Sequence, residues 1–267
     1  MIASWTRLIA RALDARAIPL SLFFRDDEAG WADDRLLRLL PLFEEAGLPL
    51  DIAVIPATIS TKLAAQLAHR ARVSGLVGLH QHGFAHANHE QGIPRSEFGG
   101  ARPLAAQRDD IENGRQRLLA YFGNQLDPLF TPPWNRCSSS TGSLLVESGF
   151  SGLSRDRFAE PLRISGLTEC PVAIDWSSKP RGPRGLELWA SRCADGIATA
   201  DRPYGILIHH LVMDDEERSI LGSLLNLFRK HPKVQAIPMR ATLGFGLGIT
   251  SPAPYRAIDP PPPALLD

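Results

Sequence analysis

Short apolar runs alternate with longer segments of helical periodicity along most of the chain. The apolar runs predict strands at residues 20–25, 50–55, 76–80, 129–131, 150–154, 172–175, 204–209 and 234–237. The periodic segments predict helices at residues 33–46, 60–72, 104–122, 140–148, 186–194 and 216–231, the first of them capped by an Asp and ended by Gly47. This repeated order favours one parallel α/β barrel, regular or distorted.

The chain has 267 residues, enough for one large domain with a full core. We expect the barrel to occupy residues 1–250. Residues 251–267 contain the run Pro260-Pro261-Pro262-Pro263 and predict an extended tail.

Composition indicates an ordinary globular protein. The formal net charge is +0 and 44% of residues are hydrophobic, so charge offers no argument for a nucleic-acid or membrane partner. The three cysteines are widely spaced without a CxxC, which fits a reducing compartment. With no recognisable secretory signal or membrane-spanning stretch, we expect a cytoplasmic protein, and its oligomeric state stays open.

Polar residues gather where the predicted strands end. These clusters are Asp26-Asp27, His82 with His86, Pro132-Pro133-Trp134, Asp175-Trp176 and His209-His210. Because the carboxyl ends of parallel barrel strands share one face, and that face carries active sites, the clusters predict a catalytic site there.

The histidine-rich segment at residues 79–89 holds four of the eight histidines. His82 and His86 are spaced i, i+4, and one helical turn would place both rings on one side, as a divalent metal requires. One of Asp26 and Asp27 can bind the same metal while the other acts as a base. His80 can support these ligands from behind.

The remaining clusters suggest roles around a substrate. The rigid Pro-Pro turn would hold the backbone N–H of Trp134 toward a developing oxyanion. Asp175 can orient a neighbour, and Trp176 can form a wall for a sugar-like ligand. Adjacent strand residues face opposite sides, so only one of His209 and His210 is expected to enter the barrel mouth.

Together these motifs resemble the polysaccharide deacetylases of carbohydrate esterase family 4. The family's T-F-D-D-G, H-[ST]-x-x-H and R-P-P-Y are similar to residues 24–28, 82–86 and 131–134. Its Asp-Trp and L-L-H-D strand ends are similar to residues 175–176 and 207–210. This chain departs from the family motifs at four positions. It has Thr131 where the family has Arg, Gly83 where it has Ser or Thr, Glu28 where it has Gly, and His210 where it has Asp.

The resemblance implies a distorted TIM-like (β/α)7 barrel in a single domain. It also implies one divalent metal, Zn²⁺ before Co²⁺, Ni²⁺ or Fe²⁺, on Asp27, His82 and His86. Asp26 would be the base, His209 the acid and the N–H of Trp134 an oxyanion donor. The reaction it implies is removal of an acyl group, with N-acetyl preferred, from a sugar or small amide, so the expected partner is a small-molecule or glycan substrate.

Since Thr131 replaces the family's Arg, another arginine is expected to supply its positive charge. Arg136 follows the Pro-Pro-Trp turn and is preferred. Arg25 adjoins Asp26 but should point to the opposite face of its strand.

Two other functions fit the sequence. One is a metal-free, allantoinase-like C–N hydrolase of the same superfamily. The other is a catalytically degenerate barrel that binds a glycan or a partner.

Overall fold

A curled sheet of parallel strands forms the centre of the structure, a computed structural model that describes residues 4–179 and 182–247. Its strands are β1 (Leu20–Ala29), β2 (Leu50–Val54), β3 (Val77–His82), β4 (Leu126–Thr131), β5 (Gly152–Leu153), β6 (Thr168–Glu169), β7 (Val172–Asp175), β8 (Tyr204–Ile208) and β9 (Val234–Ala236). The α-helices are α1 (Ser4–Asp14), α2 (Asp33–Ala46), α3 (Thr61–Ser74), α4 (Leu104–Phe122), α5 (Ser139–Glu147), α6 (Pro183–Thr199) and α7 (Asp215–Lys230).

The strand order is β6-β5-β4-β3-β2-β1-β8-β7, and β9 pairs with the beginning of β1. The sheet curls until its edges approach each other. An isolated parallel bridge joins Asp156, which follows β5, to Val172 of β7. The predicted α/β architecture, a distorted (β/α)7 barrel in a single domain, is therefore confirmed.

Most elements lie within a few residues of their predicted positions, and α2 and α4 match residue for residue. The main difference is β1, which continues past Arg25 to Ala29. The expected Asp cap of α2 is wrong, because Ala32 occupies the cap position without a side-chain bond. Gly47 ends that helix in the left-handed conformation, as predicted. The predicted tail at residues 251–267 lies outside the described residues.

Alternation along the strands separates an outer, helix-facing layer from the barrel interior. Phe24 of β1 and Ile208 of β8 belong to the large core between sheet and helices. Phe23 and Leu207, one residue away on the same strands, belong to a smaller interior cluster with Leu129. Successive side chains along each strand therefore face the helices and the barrel interior in alternation.

The helices bury one apolar stripe each against the outer layer. In α2 the buried residues Leu36, Leu39, Leu40 and Phe43 follow the spacing of one helix face. Between residues 4 and 179, and again between 182 and 247, no helix combines the length and apolar character needed to cross a membrane.

Two buried carboxyl groups meet on either side of Gly78, which lies near the beginning of β3. A Cβ at Gly78 would lie 2.0 Å from Asp51 Oδ1 and 3.4 Å from Asp127 Oδ2. Asp51 Oδ2 accepts a 2.8 Å hydrogen bond from the Met239 N–H. Burial, reinforced by the charge of Asp127, raises the pKa of Asp51 to about 8. Asp51 is therefore protonated in the folded protein at pH values where the unfolded chain has lost that proton.

We predict that Asp51→Asn changes the pH dependence of stability. The folded wild type keeps a proton that the unfolded chain releases near pH 4, so this group makes stability fall between about pH 4 and 8. The variant lacks this group, and its free energy of unfolding relative to wild type should rise by about 1–3 kcal/mol from pH 5 to 8. Urea unfolding at both values, with the exposed Asp109→Asn as control, measures it. A constant difference between variant and wild type would contradict the prediction.

Candidate active site

The interior face carries a row of polar side chains where β1 and β3 end. Arg25 and Asp27 occupy alternate positions on β1, and His80 and His82 occupy alternate positions on β3. All four are buried. The predicted catalytic face is therefore the place where these polar residues come together.

Arg25 and Asp27 form a two-pronged ion pair. The Nε and Nη2 atoms of Arg25 lie 2.8 and 2.9 Å from the two carboxylate oxygens of Asp27. The guanidinium also donates to Ser154 Oγ at 2.7 Å and to Asn135 Oδ1 at 2.6 Å. Burial alone would raise the pKa of Asp27, but Arg25, with His82 and His209, lowers it to about 2. The Asp27 carboxylate is thus ionised and fixed in place.

Arg25, not the preferred Arg136, supplies positive charge inside the mouth. Arg136 is exposed and donates at 3.4 Å to the carbonyl of Arg95. As expected, Arg25 faces away from Asp26. That orientation brings it to Asp27, because residues two apart on a strand share a face.

Asp26 lies on the outer side of β1 and not with the interior group. Its Oδ1 accepts from the His210 backbone N–H at 3.0 Å, and its Oδ2 lies 2.7 Å from His210 Nδ1. His210 Nε2 in turn lies 2.8 Å from the Trp31 carbonyl oxygen. The expected position of Asp26 as a base in the mouth is corrected accordingly: alternation directs it to the helix-facing layer, where His210 neutralises it.

His82 presents one free nitrogen to the mouth. Its Nδ1 lies 3.0 Å from the Thr131 carbonyl oxygen, which makes Nδ1 the protonated atom. Its Nε2 is buried without a hydrogen-bond partner in the part of the chain described. Burial lowers the pKa of His82 to about 3, so the ring is neutral and its Nε2 lone pair is available. His80 lies behind it, with Nε2 2.9 Å from Thr131 Oγ1.

His86 is positioned by a loop, not by the expected helical turn. The segment after β3 is irregular, and His86 has a left-handed backbone with φ 56°. The buried Glu97 carboxylate accepts from the N–H groups of Phe84, Ala85 and Ala87 at 3.2, 2.8 and 3.4 Å. This loop brings the His86 ring centroid to 5.1 Å from that of His82.

Gly83 permits that loop. It has φ 54°, and a Cβ there would lie 2.2 Å from Glu97 Oε2 and 2.6 Å from Pro133 Cδ. The Ser or Thr that the resembling motif carries at this position would not fit beside Glu97 in this arrangement.

Glu28 joins the mouth through an irregularity in β1. Between Asp26 and Ala29 the register against β2 shifts, with one more residue on β1 than on its partner. Glu28 has φ 75°, and its Oε1 lies 3.7 Å from His86 Nε2. Burial raises its pKa. An added residue of this kind re-aims side chains, so Glu28 can face the mouth although it follows Asp27 directly.

His209 and Asp175 form a second ion pair at the mouth. His209 Nδ1 lies 3.5 Å from Asp175 Oδ1, and Asp175 is held by the Ser177 N–H at 2.7 Å. Burial opposes the charged imidazole, but Asp175, Asp27 and Glu28 outweigh it and raise the pKa of His209 to about 9. Of the two adjacent histidines, His209 therefore faces the mouth, and it carries a proton at neutral pH.

Aromatic rings flank His86, but Trp176 is not one of them. Trp31 and Trp134 have ring centroids 4.8 and 4.4 Å from that of His86. Trp134 reaches this position from a turn in which its φ is 56°. Trp176 is fully buried, with Trp189 4.8 Å away and Trp5 6.5 Å away. The expectation that Trp176 lines a sugar site is therefore wrong.

A cavity of about 490 Å³ adjoins the His209–Asp175 pair. Its walls include Asn135, Asp175, Trp189 and Leu207, with Arg157 and Arg192 at the rim. It is large enough for a sugar-sized ligand.

Several residues of the site were not singled out from the sequence. No sequence pattern predicts Glu97 or Trp31 as site residues, because irregular loops determine their positions. Glu28 did carry a signal, since a charged residue stands where the resembling motif has a glycine. Among residues 4–179 and 182–247, no three His, Cys, Asp or Glu side chains already stand in the arrangement of a metal site.

Comparison with known proteins identifies the fold. No protein-family profile and no curated protein sequence matches the chain. A protein from Mycobacterium smegmatis described as a polysaccharide deacetylase has a similar solved structure, with a TM-score of 0.62 and 16% identity over 91% of this chain and 99% of that one.

Two further solved structures belong to carbohydrate esterase family 4. An acetyl xylan esterase from Clostridium thermocellum, in complex with a cobalt ion, has a TM-score of 0.56 and 11% identity over 85% of this chain and 91% of that one. A pseudoenzyme from Bacillus anthracis has a TM-score of 0.57 and 10% identity over 85% and 66%. The chain therefore has the fold of the family 4 polysaccharide deacetylases.

We predict that Glu97→Gln destabilises the protein by about 2–4 kcal/mol, because the amide cannot accept from all the N–H groups that the buried carboxylate satisfies. Urea unfolding measures the loss, and the exposed Glu45→Gln is the matched control. Equal stability of the two variants would show that Glu97 does not organise the His86 loop.

We also predict that Asp175→Asn lowers the pKa of His209. With an uncharged Asn at position 175, fewer negative charges offset the unfavourable burial of the His209 imidazolium. The ion pair stabilises the fold below about pH 6.5 and is lost as pH rises through 9, so the variant should lose more stability at pH 6 than at pH 10. NMR titration of the histidine ring protons measures the shift, with the exposed His69 as internal control. An unchanged His209 titration would refute the role of Asp175.

Proposed function

We propose that the protein is a metal-dependent hydrolase that removes an acyl group from a sugar or small amide. The preferred acyl group is N-acetyl. The observation that carries this proposal is that His209, with its Nδ1 3.5 Å from Asp175 Oδ1, lies in the same mouth as the unpartnered Nε2 of His82. A proton donor and a metal-ligand nitrogen in one cleft are what acyl hydrolysis needs.

The donor set fits one divalent metal. His82 is neutral, its Nδ1 is occupied by a carbonyl, and its Nε2 is unpartnered, which is the usual state of a metal-binding imidazole. His86 lies next to it, and the acidic run of residues 26–28 supplies carboxylate oxygen. Two imidazoles and a carboxylate suit Zn²⁺, with Co²⁺, Ni²⁺ or Fe²⁺ as alternatives.

The chain's own residues provide the proton transfers. When bound here, a divalent metal would polarise an acyl carbonyl and lower the pKa of a water molecule. A carboxylate of the acidic run takes the proton of the attacking water, and His209 gives its proton to the leaving amine as the C–N bond breaks. The backbone N–H of Trp134 is proposed to face the developing oxyanion. The ion pair with Asp175 keeps His209 protonated until it acts.

The cavity beside Asp175 is the proposed substrate pocket. Its rim and walls combine aromatic, apolar and charged side chains, as binding sites for sugar derivatives do. Trp31 and Trp134, beside His86, offer the aromatic faces that Trp176 does not.

A direct test is acetate release from N-acetylglucosamine oligomers and from small N-acetyl amides. Wild-type protein stripped by a chelator should be inactive and should regain activity with Zn²⁺ or Co²⁺. His209→Gln should retain metal and lose about 10²–10⁴-fold in kcat, the range for a lost proton donor. The exposed His69→Gln is the control. Full activity of His209→Gln would refute the proposed acid.

A second candidate is a catalytically silent barrel that binds a glycan. Asp26 and Asp27 both have their oxygens engaged, by His210 and by Arg25, which favours this alternative. In that case the wild type would bind N-acetylglucosamine oligomers by calorimetry with no acetate release under any metal.

A further inference from the structure

The three carboxylates of the acidic run have different partners. Asp26 is paired with His210 on the outer side of β1, and Asp27 with the two-pronged guanidinium of Arg25. Glu28 has neither a guanidinium nor an ammonium partner, and in the described part of the chain nothing donates a hydrogen bond to its carboxylate. The nearest polar side chain to it is the imidazole of His86, whose Nε2 lies 3.7 Å from Glu28 Oε1. Glu28 is therefore the carboxylate of the run that is left to bind a cation.

The Glu28 carboxylate is also placed as a metal ligand would be. In a tetrahedral site with bonds of about 2.0–2.2 Å, ligand atoms lie roughly 3.3–3.5 Å apart. Glu28 Oε1 and His86 Nε2 are 3.7 Å apart, close to that edge length and too far for a hydrogen bond. Their side chains are 15% and 8% exposed, so the pair is largely shielded from water.

The second imidazole comes from His82. Its Nε2 is buried and unpartnered, and its ring lies next to that of His86. Because Thr131 accepts from Nδ1, the free nitrogen points away from β4 into the mouth. This unpartnered buried nitrogen points to a metal-ligand role for His82, independently of the acidic run.

The backbone of Glu28 adds a further argument. A glutamate at φ 75° is unfavourable, and such conformations persist at sites where function requires them. A glycine would adopt this conformation without cost, and glycine is the residue in the resembling T-F-D-D-G motif. This chain has a glutamate at that position despite the backbone conformation.

We propose that Glu28, with His82 and His86, holds the divalent metal, and that Asp27, oriented by Arg25, is the carboxylate that accepts the proton of water. The acidic pair is then used one residue later in the chain than the resemblance implies. This inference rests on the proposed function and deepens it. Arg25 acts as a positioning residue, in the place of the arginine that Thr131 replaces.

The test is Zn²⁺ binding to metal-free protein by calorimetry, together with the absorption spectrum of the Co²⁺ form. Glu28→Gln should weaken Zn²⁺ binding at least about 10-fold and alter the Co²⁺ spectrum. Asp27→Asn should bind Zn²⁺ within about threefold of wild type, because an uncharged amide replaces a group that does not ligate. His82→Ala is the positive control and the exposed Glu45→Gln the negative control.

A second variant, Glu28→Gly, distinguishes loss of the metal ligand from loss of the folded structure. It removes the carboxylate and relieves the left-handed backbone, so its thermal midpoint should equal or exceed that of wild type while Zn²⁺ binding falls as in Glu28→Gln. Loss of binding in a variant of undiminished stability can be assigned to the ligand alone.

The outcomes separate this inference from the proposed function. If Asp27→Asn loses Zn²⁺ while Glu28→Gln keeps it, or if wild type binds no Zn²⁺, the inference is overturned. If the Glu28 variants lose Zn²⁺ as expected but wild type releases no acetate from any acyl substrate, the metal assignment stands and the proposed hydrolysis fails.

Discussion

The buried ion pair between Arg25 and Asp27 organises the mouth of the barrel. Placing a guanidinium and a carboxylate away from water is costly unless each finds further hydrogen bonds. Arg25 finds them in Ser154, just after β5, and in Asn135, in the turn after β4. One side chain thus connects three parts of the barrel mouth. It also fixes the Asp27 carboxylate in one orientation through two contacts, at 2.8 and 2.9 Å.

The same charges set opposite protonation states for histidines that share the mouth. Burial and the nearby Arg25 hold the pKa of His80 and His82 at about 3, so both rings are neutral. At His209 burial acts in the same direction, but Asp175 and the carboxylates at the end of β1 raise the pKa to about 9. Under the proposed function, this difference in protonation assigns the acid role to His209 and the metal-binding role to His82. A neutral imidazole can bind metal, and a charged one can donate a proton.

Sequence patterns predicted the barrel and the gathering of polar residues at its strand ends, because both depend on local periodicity and on parallel strands. The preference for His209 over His210 came from the resemblance, since alternation alone allows either one. The patterns did not predict contacts between residues that lie far apart in the sequence. Glu97 reaches the His86 loop from an irregular segment, and Trp176 is drawn into the core by α1 and α6. The sequence favours Arg136 over Arg25 because Arg136 follows the Pro-Pro-Trp turn and Arg25 should face away from Asp26. The pairing of alternate residues on β1 is the stronger constraint.

Motif comparison counts residues, whereas chemistry depends on which face of a strand each residue occupies. In a regular strand a shift of one residue exchanges every inner side chain for an outer one. The extra residue in β1 after Asp26 relaxes this rule at the point where the strand enters the site. It allows Asp27 and Glu28, adjacent in sequence, to approach the mouth together, while Asp26 remains outside with His210. Under the proposed assignment, Asp27 and Glu28 therefore take the roles that the resemblance gives to Asp26 and Asp27. Arg25, on the same strand, orients Asp27 in place of the arginine that Thr131 replaces.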